Sequence, residues 1–296
     1  MNKTAVFSGA CTALITPFNE NGIDYERLRK NINFQYENGV SAITVCGTTG
    51  ENATINNHEY EELVRYTVRE VNGKMKVIVG VGGNNTLNVL RKAEDAQFLG
   101  ADAILMVTPY YNKTTQTGLI EHFSYVADRV DIPMILYNVP SRTGIGIELN
   151  TYKILSEHPN INGVKEASGN IALAGNINAE CANSLNIWSG NDDNTVGMMA
   201  VGAHGVISVA SNIIPAVIVK LCSLCNSNDY KGANELYAKY SKLFSVLFSE
   251  TNPIPVKTAM KLLDIDSGLM RLPLTNMSEE NLVKMRTVMR DVGLNV

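Results

Sequence analysis

AITVCGTTGENATINNHEYEELVRYTVREV, Ala42 to Val71, reads as one strand, one loop and one helix in succession. Ala42 to Cys46 is short, apolar and partly β-branched, with none of the alternation of a half-exposed strand. Such a run suits a strand covered on both faces, as in a parallel sheet. GTTGE, Gly47 to Glu51, has the glycines of a turn. Asn57 stands as an N-cap before a helical apolar pattern over His58 to Val71. The same unit recurs along the chain. Strand runs fall at Gly9 to Ile15, Ala42 to Cys46, Lys76 to Val81, Ala103 to Val107, Met134 to Tyr137, Gly163 to Lys165, Asn186 to Trp188 and Gly205 to Val209. Asp24 caps a helix over Tyr25 to Glu37, and Asn85 or Thr86 caps one over Leu87 to Leu99. Eight strand and helix units closing on themselves make an α/β fold, the (β/α)8 TIM barrel. The rival is an open doubly wound sheet, but neither GxGxxG nor GxxxxGK[ST] occurs.

The chain continues past the eighth run further than a final barrel helix needs. Helical patterns cover Asp229 to Phe248, Ile254 to Leu263 and Ser278 to Val292, punctuated by Pro253, Pro255 and Pro273. The expected organisation is a barrel over residues 1–228 and a C-terminal helical extension packed on it over 229–296.

Composition narrows the function classes. The 25 Lys and Arg against 29 Asp and Glu give a net charge of −4 over 296 residues, which excludes the basic footprint of a nucleic-acid binder. The charged fraction of 18% is below the roughly 25% usual for soluble domains, pointing to a large core or an oligomer. Five scattered cysteines do not make a disulfide framework and fit a reducing, cytoplasmic setting. Cys222 and Cys225 have CxxC spacing inside an apolar run without a second pair, which reads as buried packing. Ser8, Gly9, Thr12, Thr16 and Pro17 break any leader-like apolar stretch near the start. Pro215 and Lys220 interrupt the run Ile213 to Leu224, which is far short of the roughly 20 residues of a membrane span.

In a barrel, chemistry gathers where strands end. Strand two runs into GTTGE, strand four into TPYYNK (Thr108 to Lys113), strand five into LYNVPSRTG (Leu136 to Gly144) and strand six into GVKEASG (Gly163 to Gly169). Strand seven runs into SGNDD from Ser189 and strand eight into GVISVASN from Gly205. Lys165 is the one lysine expected on the last residue of a strand. In an apolar interior, desolvation disfavours the ammonium form, and a neutral amine can attack a keto carbon to form a Schiff base. The alternative is a structural lysine paired with Glu166, although that residue should face the other side of the strand. Lys113 lies further into a loop, where solvent is the simpler expectation. His58, His122, His158 and His204 all fall in helices or loops away from the strand ends. Tyr137, ending strand five beside Lys165, is therefore the candidate proton carrier, or else a packed tyrosine with a satisfied hydroxyl. Thr48 and Thr49 offer hydroxyls and backbone N–H groups to a carboxylate, or form a plain turn. Arg142 can grip a carboxylate in a bidentate fork, or lie solvated in its loop.

GTTGE, TPYYNK, YNVPSRTG and GVKEASG, in this order, resemble the dihydrodipicolinate synthase family within the N-acetylneuraminate lyase superfamily of class I aldolases. The resemblance runs from about Phe7 through the last helix. It implies condensation of pyruvate with L-aspartate 4-semialdehyde, with no metal or organic cofactor. The Schiff-base lysine it implies is Lys165 and the proton-relay tyrosine Tyr137, with the relay passing through Thr48 to Tyr111 of a neighbouring subunit. Thr48 and Thr49 would hold the pyruvate carboxylate, Gly190 and Ile207 would line the pocket, and Arg142 would hold the semialdehyde carboxylate. A homotetramer of two tight dimers, with Tyr111 crossing the dimer interface, goes with it. Other superfamily members cleave sugar acids such as N-acetylneuraminate or 2-keto-3-deoxygluconate, which is the second reading. A silent barrel that only binds a metabolite or partner is the third.

In family members inhibited by lysine, the effector site would fall at Asn52, Ala53, Asn57, Tyr60, Asn84, Asn88 and Tyr110. Two of those positions carry a histidine and a glutamate in the regulated pattern, where this chain has Asn57 and Asn88. A neutral amide offers an ammonium much less than a carboxylate does. Lysine feedback is expected to be weak or absent; half-inhibition of turnover at sub-millimolar lysine would contradict this.

Overall fold

A computed structural model describes residues 2–296. Eight strands form one closed parallel sheet: β1 Gly9–Ala13, β2 Ala42–Val45, β3 Lys76–Gly80, β4 Ala103–Val107, β5 Met134–Asn138, β6 Ile161–Glu166, β7 Asn186–Ser189 and β8 Gly205–Ser208. β8 pairs with β1 to close the circle, Gly9 opposite Gly205 and Thr12 opposite Ser208. The barrel expected from the repeating unit is the fold observed.

The differences lie at the strand ends. β2 stops at Val45 because Cys46 takes a left-handed φ of 53°. A Cβ at Gly80 of β3 would come within 2.0 Å of the Cys46 carbonyl oxygen, so only glycine lets the two strand ends approach. β6 starts two residues before the expected Gly163, and β1 ends at Ala13 although Leu14 and Ile15 remain buried. The Ile15 N–H turns away to donate to the Asn212 side chain. A two-residue antiparallel hairpin, Phe18–Asn19 with Gly22–Ile23, was not foreseen.

Helices α1 Tyr25–Glu37, α2 Asn57–Val71, α3 Thr86–Phe98 and α4 Gln116–Ala127 follow the first four strands. Asp24 caps α1 and Asn85 caps α3. Asn57, the cap expected for α2, is instead its first residue, and Asn56 is the cap. The Asn56 side chain accepts from the Glu59 N–H at 3.0 Å while the Glu59 carboxylate accepts from the Asn56 N–H at 3.1 Å, a reciprocal capping box. After β5 come a short helical turn, Pro140–Thr143, and α5 Leu149–Ser156. α6 Ile171–Glu180, α7 Thr195–Ala200 and α8 Pro215–Asn226 complete the outer ring. α9 Tyr230–Val246, α10 Ile254–Leu262 and α11 Glu279–Asp291 lie beyond it, and their Leu243, Met260, Met285 and Met289 join the same buried core as the barrel.

Two contacts tie the start of the chain to the barrel's N-terminal end. Phe7 stacks on buried Trp188 of β7 at 4.9 Å, and the indole N–H donates to the Phe7 carbonyl. The Lys3 ammonium donates to the carbonyls of Ser156, His158 and Ile161 at 2.6, 2.8 and 2.7 Å. Cys222 and Cys225 are free and buried in α8, and burial pushes the Cys222 thiol up to about 12, as packing rather than metal binding requires. Among the described residues no helix is long and apolar enough to cross a membrane.

His122 of α4 is buried, with Nδ1 2.8 Å from the Thr86 hydroxyl and Nε2 without a partner. Burial pulls its pKa down to about 4. The unfolded chain, with histidine near 6.5, takes up the proton first, so stability falls as pH drops from about 6.5 toward about 4. His122→Gln should flatten this limb: urea unfolding at pH 7 and pH 5 should show a smaller loss in the variant than in the parent.

Candidate active site

Strand register sets the centre of the site. Tyr137 on β5 lies opposite Lys165 on β6, which lies opposite Trp188 on β7. Lys165 is only 6% exposed, its ammonium 4.3 Å from the centre of the Tyr137 ring, and it makes no salt bridge among the described residues. Glu166 faces the opposite way, as strand alternation demands. Its carboxylate accepts from Asn138 Nδ2 at 2.8 Å, the Tyr152 hydroxyl at 2.9 Å and the Ser168 N–H at 2.7 Å. The structural pairing of Lys165 with Glu166 is thereby excluded, and the lysine is left against an aromatic face.

Gly190, just past β7, closes over this lysine. A Cβ there would lie 2.5 Å from the Ala167 Cβ and 3.1 Å from the Lys165 Cε, so glycine is required by space. Beyond it, buried Asp192 accepts from the Ser208 hydroxyl and from the N–H groups of Val209 and Ala210, at 3.1 and 3.0 Å, fastening the loop after β7 to the end of β8. Burial pushes the Asp192 carboxyl up. Ile207, fully buried, sits within β8 opposite Cys11.

The turn after β2 forms the other wall. Thr48, Val107, Tyr110, Tyr137, Arg142 and Asn252 line a cavity of about 320 Å3 at the barrel mouth. The N–H groups of Thr48 and Thr49 have no acceptor among the described residues, and of the two residues Thr48 lines the cavity. Thr49 is buried, and neither it nor Lys165, Gly190 or Ile207 is in the cavity wall; Tyr137 links the lysine to it. Arg142, on the turn Pro140–Thr143, is exposed at the rim, and one of its Nη groups lies 3.4 Å from the Asn252 carbonyl. Burial pushes the neighbouring Cys46 thiol up to about 12, leaving it neutral.

Three residues from the C-terminal part, none singled out from the sequence, hold that turn. Asn252 Nδ2 donates to the Thr49 hydroxyl at 2.9 Å. Lys257 of α10 pairs with Glu51 at 2.8 Å, both side chains almost wholly buried, and also donates to the Thr16 carbonyl at 2.9 Å. The other Glu51 oxygen accepts from the Arg271 N–H at 3.1 Å, and the Arg271 guanidinium pairs with Glu59. The available signal was Lys257 itself, a charge inside the apolar run IPVKTAM that follows Pro253.

Some expected residues are not brought together in the single chain. Tyr111 is 91% exposed, with a left-handed φ of 71°, and is not in the cavity wall. Lys113 is exposed, with its stem near Gly144. Asn52, Ala53, Asn57, Asn84, Asn88 and Tyr110 share the wall of a second cavity, of about 250 Å3. Tyr60 is not part of that wall: it is buried, and its hydroxyl donates to the Lys92 carbonyl at 3.1 Å.

A closed (β/α)8 barrel with a lysine buried at the carboxyl end of its sixth strand is the frame of an aldolase-type enzyme. The chain belongs to the dihydrodipicolinate synthetase family, whose model matches residues 6–292. It is 46% identical over 290 residues to the 4-hydroxy-tetrahydrodipicolinate synthase of Thermoanaerobacter sp. (strain X514), covering 98% of each chain. It superimposes on the crystal structure of dihydrodipicolinate synthase from Aquifex aeolicus with a TM-score of 0.95, at 46% identity and covering 97% and 99% of the two chains. A monomeric dihydrodipicolinate synthase variant is also similar, with a TM-score of 0.96, 41% identity and 98% of both chains covered.

Lys257→Ala should cost about 3–5 kcal/mol in urea unfolding, because it leaves the Glu51 carboxylate buried without its partner. A loss below about 1 kcal/mol would show that the pair does not hold the turn.

Proposed function

We propose that this protein condenses pyruvate with L-aspartate 4-semialdehyde to 4-hydroxy-tetrahydrodipicolinate, through an imine on Lys165. The observation that carries this is the buried, unpaired Lys165 against Tyr137, in a chain close in sequence over its whole length to synthases of that name. Those names set aside the sugar-acid aldolase reading.

In the proposed reaction, the Lys165 nitrogen adds to C2 of pyruvate, and loss of water leaves an iminium that serves as the electron sink. Removal of a C3 proton gives the enamine, whose C3 attacks the semialdehyde carbonyl carbon. The substrate amine then adds to C2, the ring closes and the Lys165 amine departs unchanged. Tyr137, in register with Lys165, carries protons on and off the carbinolamine. The free N–H groups of Thr48 and Thr49 receive the pyruvate carboxylate, and Arg142 at the rim receives that of the semialdehyde. The chemistry proposed calls on no metal or organic cofactor, and the setting proposed is cytoplasmic.

Tyr111 completes the proton relay from a second copy of the chain, in a tetramer built of tight dimers. Its support is an almost wholly exposed tyrosine held in a disfavoured backbone conformation beside the mouth.

Lys165→Ala should abolish condensation, since it removes the covalent route. Arg142→Ala should lower kcat/KM for the semialdehyde about 10- to 100-fold, the worth of a charged hydrogen bond, with pyruvate binding little changed. Steady-state kinetics of the two variants check this; equal, mild losses would contradict the mechanism.

A further inference from the structure

The turn that carries Arg142 has little of its own to hold it. Within Pro140–Thr143, the N–H groups of Arg142 and Thr143 donate to the Val139 carbonyl at 2.9 and 3.1 Å, and the Gly144 N–H donates to the Pro140 carbonyl at 2.8 Å. A single turn fixes several dihedrals for few bonds and is not stable alone. Beyond the segment 139–145, its four residues make two hydrogen bonds among the described residues. One is the 3.4 Å approach of the Arg142 guanidinium to the Asn252 carbonyl, made by the very group that has to meet a carboxylate. The other comes from Thr108, the first residue after β4, whose hydroxyl donates to the Thr143 hydroxyl at 2.9 Å.

The direction of that bond is set by its surroundings. Thr143 Oγ1 has its own proton between the carbonyls of Ile145 and Val139, at 2.9 and 3.3 Å, so toward Thr108 it accepts. Thr108 is fully buried, and its hydroxyl has no other partner among the described residues. A buried hydroxyl left without a partner is unfavourable, so the pair resists separation. The Thr108 backbone is fixed independently, its N–H donating to the Tyr137 carbonyl at 3.2 Å. Thr143, also buried, lines the active-site cavity beside Arg142. The two hydroxyls therefore fasten the loop after β5, with Arg142, to the loop after β4, with Tyr110 and Tyr111. None of these bonds reaches Lys165, Thr48 or Thr49, which meet pyruvate in the proposed reaction.

We propose that Thr108 is a positioning residue for the second substrate: its hydroxyl, acting through Thr143, places the turn from which Arg142 meets the semialdehyde carboxylate. This rests on the condensation reading and adds to it a residue that touches neither substrate.

The test is steady-state kinetics of Thr108→Val, which keeps the shape and removes the donor, with each substrate varied in turn. kcat/KM for the semialdehyde should fall about tenfold, most of it in KM, because a displaced guanidinium weakens binding of the substrate it holds. KM for pyruvate and the yield of borohydride-reduced pyruvyl adduct on Lys165 should stay within about twofold of the parent. Thr108→Ser, which restores the hydroxyl, should return the semialdehyde KM to within about twofold of the parent, a rescue that lost packing would not show. In an Arg142→Ala background, Thr108→Val should cost less than about twofold more, since the two act through one contact. Thr143→Val, which removes the acceptor, should show the same split between substrates and serves if Thr108→Val does not fold. An unchanged semialdehyde KM in Thr108→Val, equal losses for both substrates, no rescue by serine, or a full additional loss in the Arg142→Ala background would each overturn the proposal. A parent that traps pyruvate but never turns over the semialdehyde would overturn the condensation reading and this proposal with it, whereas an active parent with an unaffected Thr108→Val overturns the proposal alone.

Discussion

A strand can present a side chain to only one of its two faces, and at the end of β6 this separates Lys165 from Glu166. The two residues are neighbours with opposite charges, and in a loop they would neutralise one another. On a strand walled by barrel and helices they cannot meet. Glu166 is consumed by Asn138, Tyr152 and the Ser168 N–H, which leaves the lysine with no counter-charge and a tyrosine face. The same constraint that isolates Lys165 keeps its nitrogen free of a carboxylate partner, so it remains available to attack a carbonyl carbon.

The remaining architecture keeps that isolation while leaving a route in. Gly190 passes over the lysine where any larger residue would collide. Asp192 holds the loop behind it to β8. The Thr48 and Thr49 turn stands opposite, and the C-terminal segment reaches back to fix it through Asn252, Lys257 and Arg271. Glu51 and Lys257 contrast with Lys165: one buried lysine is spent on structure because its carboxylate lies within reach, and the other remains free because its carboxylate does not.

The fold was legible because it is local and repeated. Each strand and helix unit declares itself by an apolar run, a turn and a cap, and eight repetitions outweigh small errors at the ends. The errors were local too: with Asn56 beside Asn57, only the reciprocal bond to Glu59 tells which one caps. Cys46 ended β2 by a backbone angle that its residue type does not announce. At the site, Lys165, Tyr137, Thr48 and Arg142 could be read because strand ends converge in any barrel. Asn252, Lys257 and Arg271 could not, since their partners lie some two hundred residues away and no periodicity encodes that return.

The central claim is that the Lys165 nitrogen forms a covalent imine with pyruvate. Borohydride reduction in the presence of pyruvate, followed by intact mass and peptide mapping, tests it most directly. The account predicts a single reduced pyruvyl adduct on the peptide containing Lys165. A folded protein that gives no adduct, or an adduct on Lys113 or another lysine, would contradict it.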